Sequence, residues 1–266
     1  MSRLAIIAGS GDLPAALVAA LIEPPLVCAL DGFVPSGVVV DQVFRIERLA
    51  LFLRYLEDNR ITRVVFAGAV TRPRLDPGLF DPQTAQLVPR LLTATQAGDD
   101  ATLREVLAIF QEAGFVVVGV PDIAPGLVPL AGVLAGAVSA VNETDAARAA
   151  TIVAALGTVD VGQGCVVAAG LCLGVEALPG TDAMLATVAA IPANLRPTVT
   201  GGVLYKAAKP GQDRRIDLPT IGIRTVQAAS AAGLNGIAWA AGDLICLDQP
   251  AVQAEATRLG LFLWAR

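Results

Sequence analysis

The 266-residue sequence contains no histidine. Without histidine there are no serine–histidine or cysteine–histidine nucleophile pairs, no imidazole general bases and no histidine ligands for zinc. An enzyme of this composition must draw its acids and bases from carboxylates, lysines or a metal-bound water. The absence of histidine thus restricts the groups that could act in catalysis.

Cysteine is scarce, and its positions show no Cys-x-x-Cys spacing: Cys28, Cys165, Cys172 and Cys246. Each cysteine lies in an apolar run that is typical of a strand. We therefore predict small buried hydrophobic side chains, which fits a reducing compartment. The protein is accordingly expected to be cytoplasmic.

Charged residues make up only 16% of the chain against 55% hydrophobic residues, and the formal net charge is −5. A nucleic-acid-binding protein needs a basic face to displace counterions from phosphates. The composition therefore argues against a nucleic-acid partner, and any phosphate-binding site must be local.

Residues 123–141 carry no charge over nineteen positions, which approaches the length of a membrane-spanning helix. The stretch contains Pro125, Pro129 and several glycines, and Asp122 and Glu143 flank it. Such a composition favours a soluble interdomain segment. We predict a domain at residues 1–121, a linker at 122–142 and a second domain at 143–266.

The first domain opens with an apolar run at residues 4–8, a polar turn and then helix-forming residues. The turn is called here the glycine loop and consists of Gly9, Ser10, Gly11 and Asp12. Strand, glycine turn and helix together are typical of a nucleotide-binding α/β fold. Pro14 stands where a full dinucleotide fingerprint has its third glycine, which weakens an NAD or FAD interpretation. An anion-binding loop and a purely structural turn both remain open.

Alternating strands and helices continue through the first domain. Strands are predicted at residues 26–30, 63–68 and 115–119, and helices at 15–21, 49–59, 84–95 and 101–113. Arg72 follows a strand at the carboxyl edge of the predicted parallel sheet, as a phosphate ligand or a solvated loop residue. Asp99 and Asp100 directly precede a helix, where they cap it or bind a metal or ribose.

The second domain has a mixed α+β pattern. Helices are predicted at residues 143–157, 183–190, 225–232 and 251–259, with a hairpin at 164–168 and 171–177. Further strands are predicted at residues 203–207, 218–224 and 236–239. The hairpin delivers Glu176, and Thr181 or Asp182 is predicted to cap the following helix, whose N-terminus is a natural anion site.

Charge is concentrated in the sequence KAAKPGQDRRIDLPTIG, from Lys206 to Gly222, where six of seventeen residues are charged. Cations neutralise phosphate oxygens, whereas carboxylates hold Mg²⁺ or a similar ion. The stretch is therefore either a solvated surface loop or a site for a polyanion with its metal.

Six segments in chain order resemble the LpxI family of metal-dependent pyrophosphatases, which cleave UDP-2,3-diacylglucosamine in lipid A biosynthesis. The segments are IAGSGDLP (7–14), FAGAVTRP (66–73), GDD (98–100), DVGQG (160–164), EALPGTDAM (176–184) and the stretch at 206–222. The resemblance implies a Rossmann-like N-terminal domain, a different C-terminal fold and a homodimer at the inner face of the cytoplasmic membrane. It also implies hydrolysis to UMP and 2,3-diacylglucosamine 1-phosphate, with water attacking the phosphorus on the sugar side.

The resemblance also implies roles for single residues, because the essential aspartate of the family's D-L-P-x-I-G motif is Asp217 here. The residues assigned to catalysis are Asp217, Asp213, Lys206 and Lys209. The residues assigned to Mg²⁺ or a similar divalent cation are Asp217, Asp182 and Glu176, with Asp213 as a further partner. The residues assigned to the substrate are Gly9, Ser10, Gly11, Asp12, Arg72, Asp99, Asp100, Gln163, Thr181 and Arg215. Ala69 departs from the family's polar Asn.

Physical reasoning agrees with this assignment, because carboxylate-held Mg²⁺ supplies a nucleophilic water without histidine. A diacylated substrate also needs an apolar groove, for which the apolar composition is suited. Two other classes remain open: an oxidoreductase that uses the first domain, and a non-catalytic protein that binds a lipid or nucleotide.

Overall fold

The computed structural model describes residues 3–71, 75–197 and 201–266. The chain divides into two compact units, an N-terminal unit Met1–Gly126 and a C-terminal unit Leu127–Arg266. The predicted α/β class is confirmed, because the N-terminal unit has a parallel sheet and the C-terminal unit a mixed one.

Five parallel strands form the N-terminal sheet: β1 (Arg3–Ala8), β2 (Leu26–Leu30), β3 (Gln42–Phe44), β4 (Ile61–Ala67) and β5 (Val116–Val117). They lie in the order β3-β2-β1-β4-β5, which is the order of a Rossmann-like sheet. β1 pairs with both β2 and β4, so the strand order reverses between β1 and β4. Ligands of open α/β sheets bind outside the carboxyl ends of the strands at such a point.

The N-terminal unit contains these helices: α1 (Leu13–Ala20), α2 (Leu49–Asp58), α3 (Pro82–Ala85), α4 (Val88–Ala97), α5 (Asp99–Glu112) and α6 (Val120–Ile123). The prediction of one helix over residues 84–95 is wrong, because α3 ends before α4 begins. Pro89 lies in the first turn of α4, where its missing N–H costs nothing. The same proline inside a continuous helix would clash with the carbonyl four residues earlier.

The C-terminal unit is built on six strands: β6 (Gly132–Ala135), β7 (Gly164–Ala168), β8 (Leu171–Val175), β9 (Val203–Lys206), β11 (Gly236–Trp239) and β13 (Phe262–Ala265). Their order is β6-β13-β11-β9-β7-β8. The three central strands are parallel, and the others pair antiparallel. The predicted hairpin of β7 and β8 is confirmed. Two short strands, β10 (Thr220–Ile221) and β12 (Ile245–Cys246), pair in parallel beside this sheet.

Helices cover both faces of the C-terminal sheet: α7 (Ala140–Gly157), α8 (Gly180–Ala189), α9 (Ile223–Ala231) and α10 (Gln249–Leu259). Val153 of α7 packs in one core with Val167 and Tyr205. Helices α8, α9 and α10 contribute to a second core around Leu204 and Ile237. Alternate residues of β9 thus point into different cores, as expected for a strand.

The structure differs from several expectations drawn from the sequence. The stretch predicted as a linker contains β6, which pairs antiparallel with β13. The predicted strand at residues 218–224 shrinks to β10 because Gly222 is the N-cap of α9 and donates its N–H to Thr225 Oγ1 at 3.3 Å. Cys172 on the edge strand is exposed, whereas the other three cysteines are buried as predicted. Within the described ranges, no helix is long and apolar enough to cross a bilayer.

Candidate active site

The glycine loop follows β1 and lies against the loop that follows β4. Ser10 and Ala69 exchange two backbone hydrogen bonds, with nitrogen-to-oxygen distances of 2.9 and 2.8 Å. A Cβ on Gly9 would come within 2.6 Å of Ala69 O, and one on Gly68 within 2.7 Å of Ser10 O. The close approach of the two loops therefore accounts for Gly9 and Gly68 without any ligand.

The second half of the glycine loop is differently constrained. Gly11 has a φ of 97°, which favours glycine, and no atom lies within 4 Å of where its Cβ would be. Asp12 is exposed at the N-cap position of α1, and Pro14 is buried in the first turn. Gly11 O accepts from Ser36 N–H at 2.9 Å, and the substrate-binding role of this half stays a prediction.

The other predicted site residues of the N-terminal unit, Asp99, Asp100 and Arg72, are not part of the glycine loop. Gly98 is the N-cap of α5, so the prediction that Asp99 caps this helix is wrong, and both aspartates lie in the first turn. There a negative side chain interacts favourably with the helix dipole. Asp100 pairs with Arg104 at 3.0 Å. Arg72 lies outside the described residues.

In the C-terminal unit, Lys206 ends the central strand β9 and is almost fully buried. Its Nζ donates to Thr181 Oγ1 at 2.6 Å and lies 3.4 Å from Glu176 Oε2. Thr181 lies in the first turn of α8, and Pro179 is the N-cap, so the predicted cap by Thr181 or Asp182 is wrong. The hydroxyl instead serves as a partner for the buried ammonium group.

Two glycines make room for Glu176 beside this lysine. A Cβ on Gly164 would lie 2.4 Å from Glu176 Oε2, and one on Gly162 would lie 2.0 Å from the Glu176 carbonyl oxygen. Glu176 N–H also donates to Gly164 O at 2.8 Å. The sequence G-Q-G at residues 162–164 therefore allows the hairpin end to approach closely enough for Glu176 to pair with Lys206.

Asp217 receives two amide groups on one carboxylate oxygen. Gln163 Nε2 donates to Asp217 Oδ2 at 2.8 Å, and Gln212 Nε2 donates to the same atom. Gln212 Nε2 also reaches the Asp217 carbonyl oxygen at 2.5 Å. Because both amides meet Oδ2, the carboxylate is held in a defined orientation.

The electrostatic environment of Asp217 raises its pKa above the ordinary value for aspartate. Burial is the largest cause and acts against the charged form. The positive charges of Lys209 and Lys206 and the Gln163 hydrogen bond act in the opposite direction, while Glu176 raises the pKa further. A carboxylate with raised proton affinity among cations is a candidate general base.

Lys209 is placed by a tight turn. Gln212 N–H donates to Lys209 O at 3.1 Å, Pro210 is the second residue of the turn, and Gly211 is the third with a φ of 77°. This is the pattern of a type II turn. A Cβ on Gly157 would come within 2.5 Å of Pro210, so the turn packs directly on the end of α7. The Lys209 ammonium group pairs with the carboxylate of Asp160, which follows that helix.

The remaining charges of the stretch also form ion pairs. Asp213 accepts both Nε and the terminal guanidinium nitrogen of Arg215, at 2.9 and 2.6 Å. Arg214 lies 2.9 Å from Asp243 Oδ1. The roles predicted for Asp213 and Arg215 stay predictions. For either residue to bind metal or substrate, the ion pair between them must open, or the pair must bind as a unit.

Two of the predicted metal ligands, Asp182 and Glu176, lie in different environments. Asp182 is exposed in the first turn of α8, and Glu176 pairs with Lys206. Within residues 3–71, 75–197 and 201–266, no three acidic or cysteine side chains are grouped as a metal site. Mg²⁺ normally uses one or two carboxylates together with substrate phosphates and water. The residues present fit that kind of site, with Asp217 as a carboxylate ligand, and do not form a preformed cage.

The lysine–aspartate site is defined as these residues of the C-terminal unit: Gln163, Glu176, Thr181, Lys206, Lys209, Gln212 and Asp217. Lys206 and Lys209 are the only lysines in the whole sequence. Fixed ammonium groups stabilise charge that develops on phosphate oxygens, and a neighbouring carboxylate accepts a proton from water. The arrangement can thus support hydrolysis at a phosphate group.

Sequence reasoning missed two members of this neighbourhood, Gln212 and Asp160. It singled out charged residues within the stretch and passed over an uncharged amide between them. The turn sequence K-P-G-Q was the available signal, because it predicts that residue 212 returns to residue 209. The concentration of both lysines was a second signal.

Known proteins of one family match nearly the whole chain. Residues 3–127 match the LpxI N-terminal domain, and residues 131–264 match the LpxI C-terminal domain. A protein of Caulobacter vibrioides, named UDP-2,3-diacylglucosamine pyrophosphatase LpxI, is 36% identical over 282 aligned positions. The alignment covers 99% of this chain and 97% of that relative. The chain therefore belongs to the LpxI family.

Proposed function

We propose that this protein hydrolyses the pyrophosphate bond of UDP-2,3-diacylglucosamine, releasing UMP and 2,3-diacylglucosamine 1-phosphate in lipid A biosynthesis. The observation that carries the proposal is the lysine–aspartate site, in which the chain's two lysines act electrostatically on the half-buried Asp217. The name of the relative and the full-length match support the choice of substrate.

In this proposal each side chain has a defined task. Lys206 and Lys209 hold the diphosphate and stabilise the negative charge that grows on the leaving phosphate. Asp217 orients the attacking water and takes its proton through Oδ1, because both amides occupy Oδ2. The water oxygen bonds to one phosphorus as the bridging P–O bond breaks, and the departing phosphate keeps the electron pair.

A divalent cation such as Mg²⁺ is part of the proposal, held by Asp217 and the phosphate oxygens of the substrate. When bound, such a cation neutralises phosphate charge and lowers the pKa of a bound water. Its binding is measured apart from turnover with the Asp217→Asn variant. UMP should raise the melting temperature more with Mg²⁺ than without it in the wild type, and this difference should shrink in the variant.

The direct test is UMP release from UDP-2,3-diacylglucosamine with Mg²⁺ and with EDTA. The proposal expects release with Mg²⁺ and none with EDTA. Tight binding of the substrate without UMP release would instead identify a non-catalytic binding protein. Absorbance from bound nicotinamide or flavin in the purified protein would favour an oxidoreductase.

Attack at the phosphorus on the sugar side is a separate part of the proposal. Reaction in ¹⁸O-labelled water decides it, because the label enters the phosphate that water attacks. Label in 2,3-diacylglucosamine 1-phosphate supports the proposal, and label in UMP contradicts it.

We also propose that the protein is a cytoplasmic homodimer that touches the inner face of the membrane, where a diacylated substrate lies. Leu178 is 94% exposed only two residues after Glu176, and Leu171 is 59% exposed at the start of β8. Sedimentation with vesicles of anionic phospholipid tests membrane contact, with Leu178→Asp expected to bind less. Analytical ultracentrifugation tests the dimer.

A further inference from the structure

Gln212 makes four contacts within the lysine–aspartate site, although its side chain carries no charge. It is buried, with 9% of its surface exposed. Its Nε2 donates to the carboxylate and the carbonyl oxygen of Asp217. Its Oε1 accepts from Lys209 N–H at 2.8 Å and from Gln163 Nε2 at 3.4 Å.

The local sequence explains why this amide occupies a central position. Pro210 presets the first corner of the turn, and Gly211 adopts the positive φ of the second. The backbone thereby brings Gln212 back over Lys209. Five residues later Asp217 presents both its carbonyl and its carboxylate to the same amide nitrogen.

We propose that Gln212 is a positioning residue that couples the phosphate-holding Lys209 to Asp217. The proposal rests on the function proposed above. The Oε1 of Gln212 fixes the backbone of Lys209, and the Gln212 amide nitrogen fixes the orientation of the Asp217 carboxylate. Gln163 shares the second task only, since it donates to Oδ2 but has no contact with the Lys209 backbone among the described residues.

Two substitutions separate the contact of Gln212 with Lys209 from its contact with Asp217. Gln212→Leu removes both, whereas Gln212→Glu keeps an acceptor for Lys209 N–H and replaces the donor to Asp217 with an oxygen. Gln227→Leu is the matched control, because Gln227 also donates to a carboxylate, that of Glu255, but on an exposed surface.

Steady-state kinetics provide the first readout. Gln212→Leu and Gln212→Glu should each lower kcat by roughly 10–100-fold while KM changes much less, since a small displacement of a reacting group acts on the transition state. Gln227→Leu should keep wild-type values. A rise in KM with unchanged kcat, or unchanged values in Gln212→Glu, would overturn the proposal.

The two amides on Oδ2 provide a second kinetic test. Each single variant, Gln163→Leu or Gln212→Leu, leaves one amide on Asp217. The double variant should therefore lose more than the product of the two single losses, as expected for residues that share one partner. Losses that simply multiply would show that the two amides act independently and would overturn the shared role.

Amide hydrogen exchange gives a readout that needs no turnover. Exchange at Lys209 N–H should accelerate in Gln212→Leu and stay near the wild-type rate in Gln212→Glu, which keeps the acceptor. Equal exchange in all three proteins would overturn the proposal. If the wild type released no UMP, the proposed function would fail, while the exchange measurement would still decide whether Gln212 holds Lys209.

Discussion

Gln163 Nε2 donates to Asp217 Oδ2 at 2.8 Å, across 54 positions of the sequence. Gln163 directly precedes β7, and Asp217 follows β9 through the turn at Lys209. Since β7 and β9 pair antiparallel, the start of one strand lies beside the end of the other. Sheet topology thus brings the amide to the carboxylate, and the site depends on this register.

Replacement of Lys206 by methionine should reduce turnover more than binding. The variant keeps an apolar chain of similar length but removes the charge beside Glu176 and the donor to Thr181. Loss of one preorganised donor in a site of this kind typically lowers kcat by roughly 10²–10³-fold. Measurement of UMP release over a range of substrate concentrations checks this. A kcat within a factor of two of wild type would rule out Lys206 as a charge-stabilising group.

Alanine at Gly164 should disturb the Glu176–Lys206 pair without a general loss of folding. The added methyl would lie 2.4 Å from Glu176 Oε2, so that flexible carboxylate must move. We expect a clear loss of activity with a circular dichroism spectrum like that of the wild type. Gly126→Ala is the control, because no atom lies within 4 Å of its Cβ position. Similar activity in both variants would contradict the role given to Glu176.

Asp145 should matter for stability rather than chemistry. It is buried in α7 and accepts N–H groups of Ala169 and Gly170 at the turn of the hairpin, at 2.9 and 2.7 Å. Asp145→Ala leaves both donors without this acceptor, which typically costs about 1–3 kcal/mol. Urea unfolding should show the loss, with a smaller one for Asp145→Asn. An unchanged midpoint for the alanine variant would contradict this anchoring role.

The raised pKa of Asp217 also predicts how stability varies with pH. Between the ordinary and the raised pKa the folded chain holds more protons than the unfolded chain, so the free energy of unfolding falls as pH rises through that window. Above the window the deficit stays constant. Asp217→Asn removes this titration, so its stability relative to wild type should grow with pH and then level off. Urea midpoints from about pH 4 to about pH 8 measure it, and a pH-independent difference would contradict the raised pKa of Asp217.

Much of the fold follows from hydrophobic pattern. β2 and β11 lie at the residues that the apolar runs predict, because both strands are buried along their whole length. The pattern fails where a single residue decides the boundary. Pro89 separates α3 from α4, and Gly222 starts a helix within a run that looked like one strand.

The candidate site was predictable in outline but not in its hydrogen bonds. Charge and motif indicated Lys206, Lys209 and Asp217, and these three interact electrostatically in the structure. Sequence could not show that Glu176 pairs with Lys206, because that contact depends on hairpin register and on the missing Cβ of Gly164. Sequence also could not show that the Gln163 amide donates to Asp217, and the substrate-binding role of Gln163 stays a prediction.

The most direct test of the account is UMP release from UDP-2,3-diacylglucosamine by Asp217→Ala, measured beside the wild type in Mg²⁺. Loss of a general base typically costs about 10²–10⁴-fold. The account predicts a loss of at least this size while the variant keeps the wild-type circular dichroism spectrum. Activity near that of the wild type would contradict the central role of Asp217.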